Sequence, residues 1–108
     1  MNKGEIWILN FPKKGGKEQH GIRPAIILAN TGTNIILAVP LTSNLQARHF
    51  PHTLEIKKSE RNNLEKDSIA LIFQLQASDK ERFISKIGEL EQFSLNEINK
   101  ILRNLLKL

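Results

Sequence analysis

Short extended segments follow one another through most of this chain, and helical spacing is sustained only at its C-terminus. That order predicts a mainly β protein closed by one helix, as a compact β-barrel or a strongly curved sheet. Two stretches carry the prediction. Ala25 to Ala29 is an unbroken apolar run that reads as a buried strand. Leu95, Ile98, Ile101, Leu102, Leu105 and Leu106 recur at helical spacing, with Lys100, Arg103 and Lys107 on the opposite face.

Taken in order, Glu5 to Phe11 is rich in β-branched and aromatic residues and reads as a first strand, stopped by Pro12. Gly15 and Gly16, among Lys13, Lys14 and Lys17, make a flexible loop. The second strand is expected from Pro24 to Ala29, followed by the turn Asn30-Thr31-Gly32-Thr33-Asn34. Ile35 to Leu41 is a third strand; Pro40 within it implies an edge, a bulge or the strand's end. A polar loop runs from Thr42 to about Pro51, and His52 to Lys58 alternates as a strand with one wet face. After a charged loop, Ser68 to Leu75 reads as one central strand. Ser78-Asp79-Lys80-Glu81 has capping-box spacing and predicts a short helical turn, and Arg82 to Leu90 returns to extended structure. A second capping box, Ser94-Leu95-Asn96-Glu97, is expected to open the last helix.

At 108 residues the chain is expected to form a single domain over 1–108. It lacks cysteine, which excludes a disulfide framework and any thiolate metal site. The first residues carry acid before any apolar run, and no run nears the roughly 20 residues that span a bilayer. A soluble, cytoplasmic protein without membrane contact is expected. The net charge of +5 and an isoelectric point near 9.8 favour an anionic partner, nucleic acid first. Lysines 13, 14 and 17, the Arg48–His49 pair, and Lys57, Lys58 and Arg61 lie in three separate loops.

The three histidines, His20, His49 and His52, have no acid or thiol at metal-ligand spacing, so neither a metal nor a cofactor is expected. No Gly-rich phosphate loop and no nucleophile elbow occurs. Polar groups gather instead at the ends of buried strands: Lys17, Glu18, Gln19, His20 and Arg23 before the second, Thr42 and Ser43 after the third. If those strands are antiparallel neighbours, Arg23 and Thr42 meet at one sheet edge. A guanidinium and a hydroxyl there can hold a phosphodiester. On spacing alone, an Arg23–Glu18 ion pair with a simple turn at Thr42 is the better-supported reading.

A resemblance changes that balance. Gly4-Glu5-Ile6-Trp7, Glu18-Gln19-x-Gly21-x-Arg23-Pro24, and Val39-Pro40-Leu41-Thr42-Ser43 together resemble the MazF/PemK (Kid-like) toxin family. Asp67-Ser68-Ile69-Ala70-Leu71, Gln74, Asp79-Lys80-Glu81-Arg82 and Lys86-Ile87-Gly88 extend the likeness over nearly the whole chain. The resemblance implies an SH3-like β-barrel of the MazF/CcdB type, working as a homodimer. It implies the toxin of a type II toxin–antitoxin pair, an endoribonuclease cleaving single-stranded RNA without metal through 2′-hydroxyl attack. The implied partner is an antitoxin with a disordered, acidic C-terminal segment.

By the same likeness Arg23 and Thr42 match catalytic residues, and Glu18 an acid needed in some members. Lys17, Gln19, His20, Ser43 and Gln74 are the expected substrate-binding residues. The chain departs from the pattern at Phe73, where an acid is common, and at Gln76, where arginine is. Lys17 and Leu71 also replace the histidine and arginine of PemK-like members. These departures motivate an alternative, a catalytically weakened module binding RNA or antitoxin on the same fold. A gyrase inhibitor like the CcdB toxins is a third reading, because fold alone does not fix activity.

Overall fold

The computed structural model describes residues 1–108. Seven strands are present: β1 (Glu5–Phe11), β2 (Gly21–Asn30), β3 (Ile35–Thr42), β4 (Thr53–Ile56), β5 (Ser68–Leu71), β6 (Gln76–Asp79) and β7 (Phe83–Glu89). One helix, α1 (Gln92–Leu106), ends the chain. Short 3-10 turns occupy Leu45–His49, Ile72–Gln74 and Lys80–Arg82. The strands pair antiparallel in the order β4-β5-β3-β2-β1-β7, and β6 joins β3 off that path.

The shared strand β3 explains the shape. Residues Ile35 to Ala38 pair with β6, whereas Leu41 and Thr42 pair with β5. Pro40, whose ring nitrogen has no hydrogen to donate, falls between the two partners. It is therefore neither on an edge strand nor at a strand end, but inside β3 where the partner changes. The same step divides the expected strand from Ser68 to Leu75. Its first half is β5; the chain must then skip the unpaired part of β3, and the Ile72–Gln74 turn takes up that step before β6 begins.

Both capping boxes are displaced as well. Ser78 is buried in the β6 ladder opposite Ile36. The carboxylate of Asp79 therefore caps the next turn, accepting from the Glu81 amide at 2.9 Å. Ser94 is buried within the first turn of α1, and Glu91 holds the N-cap position. The chain needs Glu91 elsewhere: its carboxylate accepts from the Ser59 hydroxyl and from Asn62 Nδ2.

Alternation along the strands divides the core between two faces. On one, Ile6, Ile26, Val39 and Ile72 pack with Leu64 and with Ile98 of α1. The remaining stripe residues Leu95, Ile101, Leu102 and Leu105 rest on that cluster, so most of the leucine stripe is spent within the chain. Leu106 is exposed at its end. On the other face, Leu9, Phe11, Ala25, Ile27 and Phe83 pack together. Trp7 lies at their margin, its ring edge-on to Phe83 at 6.4 Å and its indole N–H donating to Glu5 Oε1 at 2.8 Å.

A loop bridges the two ends of the sheet. Between β4 and β5 the chain folds over Asn62, which is fully buried. Asn62 Oδ1 accepts from the Ser59 and Leu64 amides, and its Nδ2 donates to the Lys57 carbonyl at 2.8 Å and to Glu91. The Arg61 carbonyl accepts from the Glu89 amide at 3.0 Å, tying this loop to the end of β7. Contact is so close at Gly88 that a Cβ there would stand 2.4 Å from the Asn62 carbonyl oxygen.

Candidate nucleic-acid interface

The β2–β3 ladder ends at Ala25 and Pro40. Proline stands at Pro24 in one strand and at Pro40 in the other, and neither nitrogen can donate, so pairing stops there. Arg23 and Thr42 lie two residues beyond that last pair, one on each strand. The residues beyond the ladder border a groove of about 790 Å³. Arg23, Thr42, Ser43 and Asn44 line it together with Asn63 and Lys66 from the Asn62-centred loop. Glu65 is the single acid among the lining residues.

Arg23 is half-buried and makes no ion pair within the chain. Its Nε donates to the His20 carbonyl at 3.1 Å, which orients the guanidinium while leaving its terminal nitrogens to bind an anion. Thr42 Oγ1 accepts from the Asn44 amide at 3.2 Å, so its own proton remains available to donate. Thr42 does start a turn, but the Arg23–Glu18 ion pair is not formed. The Glu18 carboxylate folds back over Gly16 instead, where an added Cβ would meet Oε2 at 2.8 Å.

The remaining expected residues divide in two. Ser43 lies in the groove. Lys17, Glu18 and His20 are exposed on the β1–β2 loop and do not line it. Gln19 and Gln74 meet each other, the Gln19 amide donating to Gln74 Oε1 at 2.7 Å. Gln74 thereby tethers the loop that holds Arg23. At Gln76 the side chain is buried and its amide atoms have no hydrogen-bond partner within the chain.

Asn44, Asn63 and Lys66 were not singled out by sequence. Asn63 adopts a left-handed backbone (φ 56°). A Ser-x-x-Asn-Asn stretch is a signal for such a turn, but nothing local announces which wall it builds. No three His, Asp or Glu side chains converge anywhere in the chain. No helix is long and apolar enough to cross a membrane.

Two carboxyls depart from ordinary behaviour. Burial pushes Glu5 up, but the Trp7 indole, the Asn2 region of the backbone and Lys86 outweigh it and hold its pKa below the usual 4.5. Lys86 Nζ stands 3.6 Å from its carboxylate. Burial likewise opposes ionisation of Glu91, and the hydrogen bonds from Ser59 and Asn62, with Arg61 nearby, overcome it and lower the pKa.

A small antiparallel sheet with one terminal helix, with an oriented arginine and a threonine hydroxyl lining one groove, defines a compact β protein with a polar, cation-bearing groove. Comparison with known proteins places it more closely. Residues 2–106 match the family described as PemK-like, MazF-like toxins of type II toxin–antitoxin systems, and the chain belongs to that family. It is 30% identical over 103 residues to the endoribonuclease MazF of Staphylococcus saprophyticus, covering 92% of this chain and 85% of that protein. The crystal structure of MazF from Deinococcus radiodurans superposes with a TM-score of 0.83 at 26% identity, covering 100% of this chain and 97% of the other. A MazE–MazF structure from the same organism superposes at 0.74 with 25% identity, covering 100% and 96%.

Proposed function

We propose that residues 1–108 act as one MazF/PemK-like domain, the toxin of a type II toxin–antitoxin pair, and cleave single-stranded RNA as a homodimer. The observation that carries this is that Arg23 and Thr42 line one groove where the β2–β3 ladder ends. The ribose 2′-oxygen attacks the adjacent phosphorus, the P–O5′ bond breaks, and the products are a 2′,3′-cyclic phosphate and a free 5′-hydroxyl. Negative charge grows on the non-bridging oxygens during attack. The terminal nitrogens of Arg23 fork onto both of them, and Thr42 donates a further hydrogen bond to one. Ser43 and Asn44 widen that polar floor.

The 2′-hydroxyl proton needs an acceptor and the leaving 5′-oxygen needs a donor. We assign those transfers to Glu18 and His20 on the loop that Gln74 tethers, although neither side chain lines the groove in the free chain. Gln19, through its bond to Gln74, keeps that loop above the strand end, and Lys17 adds charge for the incoming strand. The partner is an antitoxin whose flexible acidic segment covers the same basic surface, in keeping with the +5 charge and with the structure in which MazE accompanies the similar MazF.

The test is a varied RNA pool incubated with the purified protein in EDTA, with the product ends mapped. Cleavage leaving cyclic-phosphate ends is expected. Arg23→Ala should reduce it by about three orders of magnitude, and Thr42→Ala by about two, the scale of losing a charge-stabilising donor. Both variants should keep their circular dichroism. Undiminished cleavage by folded Arg23→Ala would refute the assignment. RNA binding without cleavage by the unaltered chain would favour the catalytically weakened module that Phe73 and Gln76 suggest.

A further inference from the structure

Two largely exposed aromatic rings lie outside the groove lining, on segments that lead to it. Phe50 is 59% exposed and Phe73 39% exposed, and their centroids lie 5.7 Å apart at an interplanar angle of 50°. Each ring is carried by rigid backbone. Phe50 follows the Leu45–His49 turn, with its amide donating to the Ala47 carbonyl and its carbonyl accepting from Thr53 Oγ1 at 2.9 Å. Phe73 is the middle residue of the Ile72–Gln74 turn, whose Ile72 is fully buried. The Ile72 amide donates to the His52 carbonyl at 3.1 Å and stitches the two segments together.

Both segments lead into the site. The one bearing Phe50 begins at Thr42. The one bearing Phe73 continues to Gln74, which holds the Gln19 amide, and the neighbouring His20 carbonyl orients Arg23. From Thr42 to Thr53 the chain carries Arg48, His49 and His52 and not one acid. Exposed aromatic faces on segments that carry a fixed cation, Arg48, and no acid suit an unpaired nucleobase and its phosphate.

We propose that Phe50 and Phe73 form a stacking platform for an unpaired base adjoining the cleaved linkage, and so set this chain's substrate preference. The inference rests on the RNA-cleaving reading and names a contact within it. A second copy of the chain is the competing occupant. The Thr42–Thr53 segment carries Arg48 and no acid, on a chain of net charge +5, which favours a phosphate-bearing occupant over a like-charged copy.

The experiment uses the whole chain with 2′-O-methylated RNA, which binds without being cut, carrying 2-aminopurine at successive positions. Quenching at one position is expected for the unaltered protein. Phe73→Ala and Phe50→Ala should lose that quench and bind about fivefold or more weakly, while Phe73→Trp should retain both. Size-exclusion profiles and circular dichroism should be unchanged. Equal binding, quenching and cleavage pattern in folded Phe73→Ala would overturn the platform. A shift in oligomeric state on that substitution would assign the rings to a second copy instead. If the unaltered chain binds no RNA at all, the RNA reading falls and the platform with it.

Discussion

Arg23 illustrates how one residue can be held without being consumed. Its single internal bond runs from Nε to a backbone carbonyl, so the side chain is aimed while its charge stays unneutralised. Glu5 and Glu91 show the opposite arrangement, in which every carboxylate oxygen is engaged and the charged form is favoured. Both have folded-state pKa values below their ordinary 4.5. A depressed carboxyl contributes stability that is complete above the unfolded value and fades as pH falls through the folded one. Thermal stability should therefore be flat near neutrality and decline as pH drops below about 4.5. Glu91→Gln should blunt that decline, as read from melting temperatures across an acid series. An equally steep acid loss in Glu91→Gln would mean that other groups govern it.

At the scale of elements, the Asn62-centred loop matters more than its irregular backbone suggests. It binds β7 and the start of α1, and on its other side it carries Asn63 and Lys66 to the groove. Gly88 is the contact that allows this approach. Gly88→Ala would force a methyl against the Asn62 carbonyl, and the loop or the end of β7 must move. A loss of about 2–3 kcal/mol is expected in denaturant unfolding, together with weaker RNA cleavage because one wall shifts; unchanged stability would show that the wall is not anchored there. The sequence spoke clearly about elements whose pattern is local. β1 could be read from its β-branched and aromatic residues up to Pro12, β3 from its apolar run, and α1 from the helical spacing of its leucine stripe. It was silent where partners are distant. Ser68 to Leu75 is apolar throughout, so nothing in it reveals that β3 changes neighbour beside it. Glu91 displaces Ser94 as the cap only because Ser59 and Asn62 come to meet it.

For the whole molecule, the net charge of +5 becomes useful once a cation is placed at a defined wall. Lys66 lines the same groove as Arg23. If it meets a phosphate, Lys66→Ala should weaken binding of the 2′-O-methylated RNA and flatten its log–log salt dependence by about 0.7, the slope attached to one phosphate of a single strand. A parallel salt dependence in the variant would remove Lys66 from the contact. That Arg23 and Thr42 would border one groove was legible only as a conditional, since β2 and β3 had first to be neighbours. Their register supplied the condition, while the position of the Glu18 carboxylate had no local signal at all. The two prolines at that strand end have one more consequence. An incoming chain extends a sheet by hydrogen-bonding to free backbone amides, and at positions 24 and 40 there are none to offer. The mouth of the groove is thus protected against strand addition and the aggregation that follows from it. An acidic partner segment that settles there has to be gripped by side chains rather than recruited as another strand.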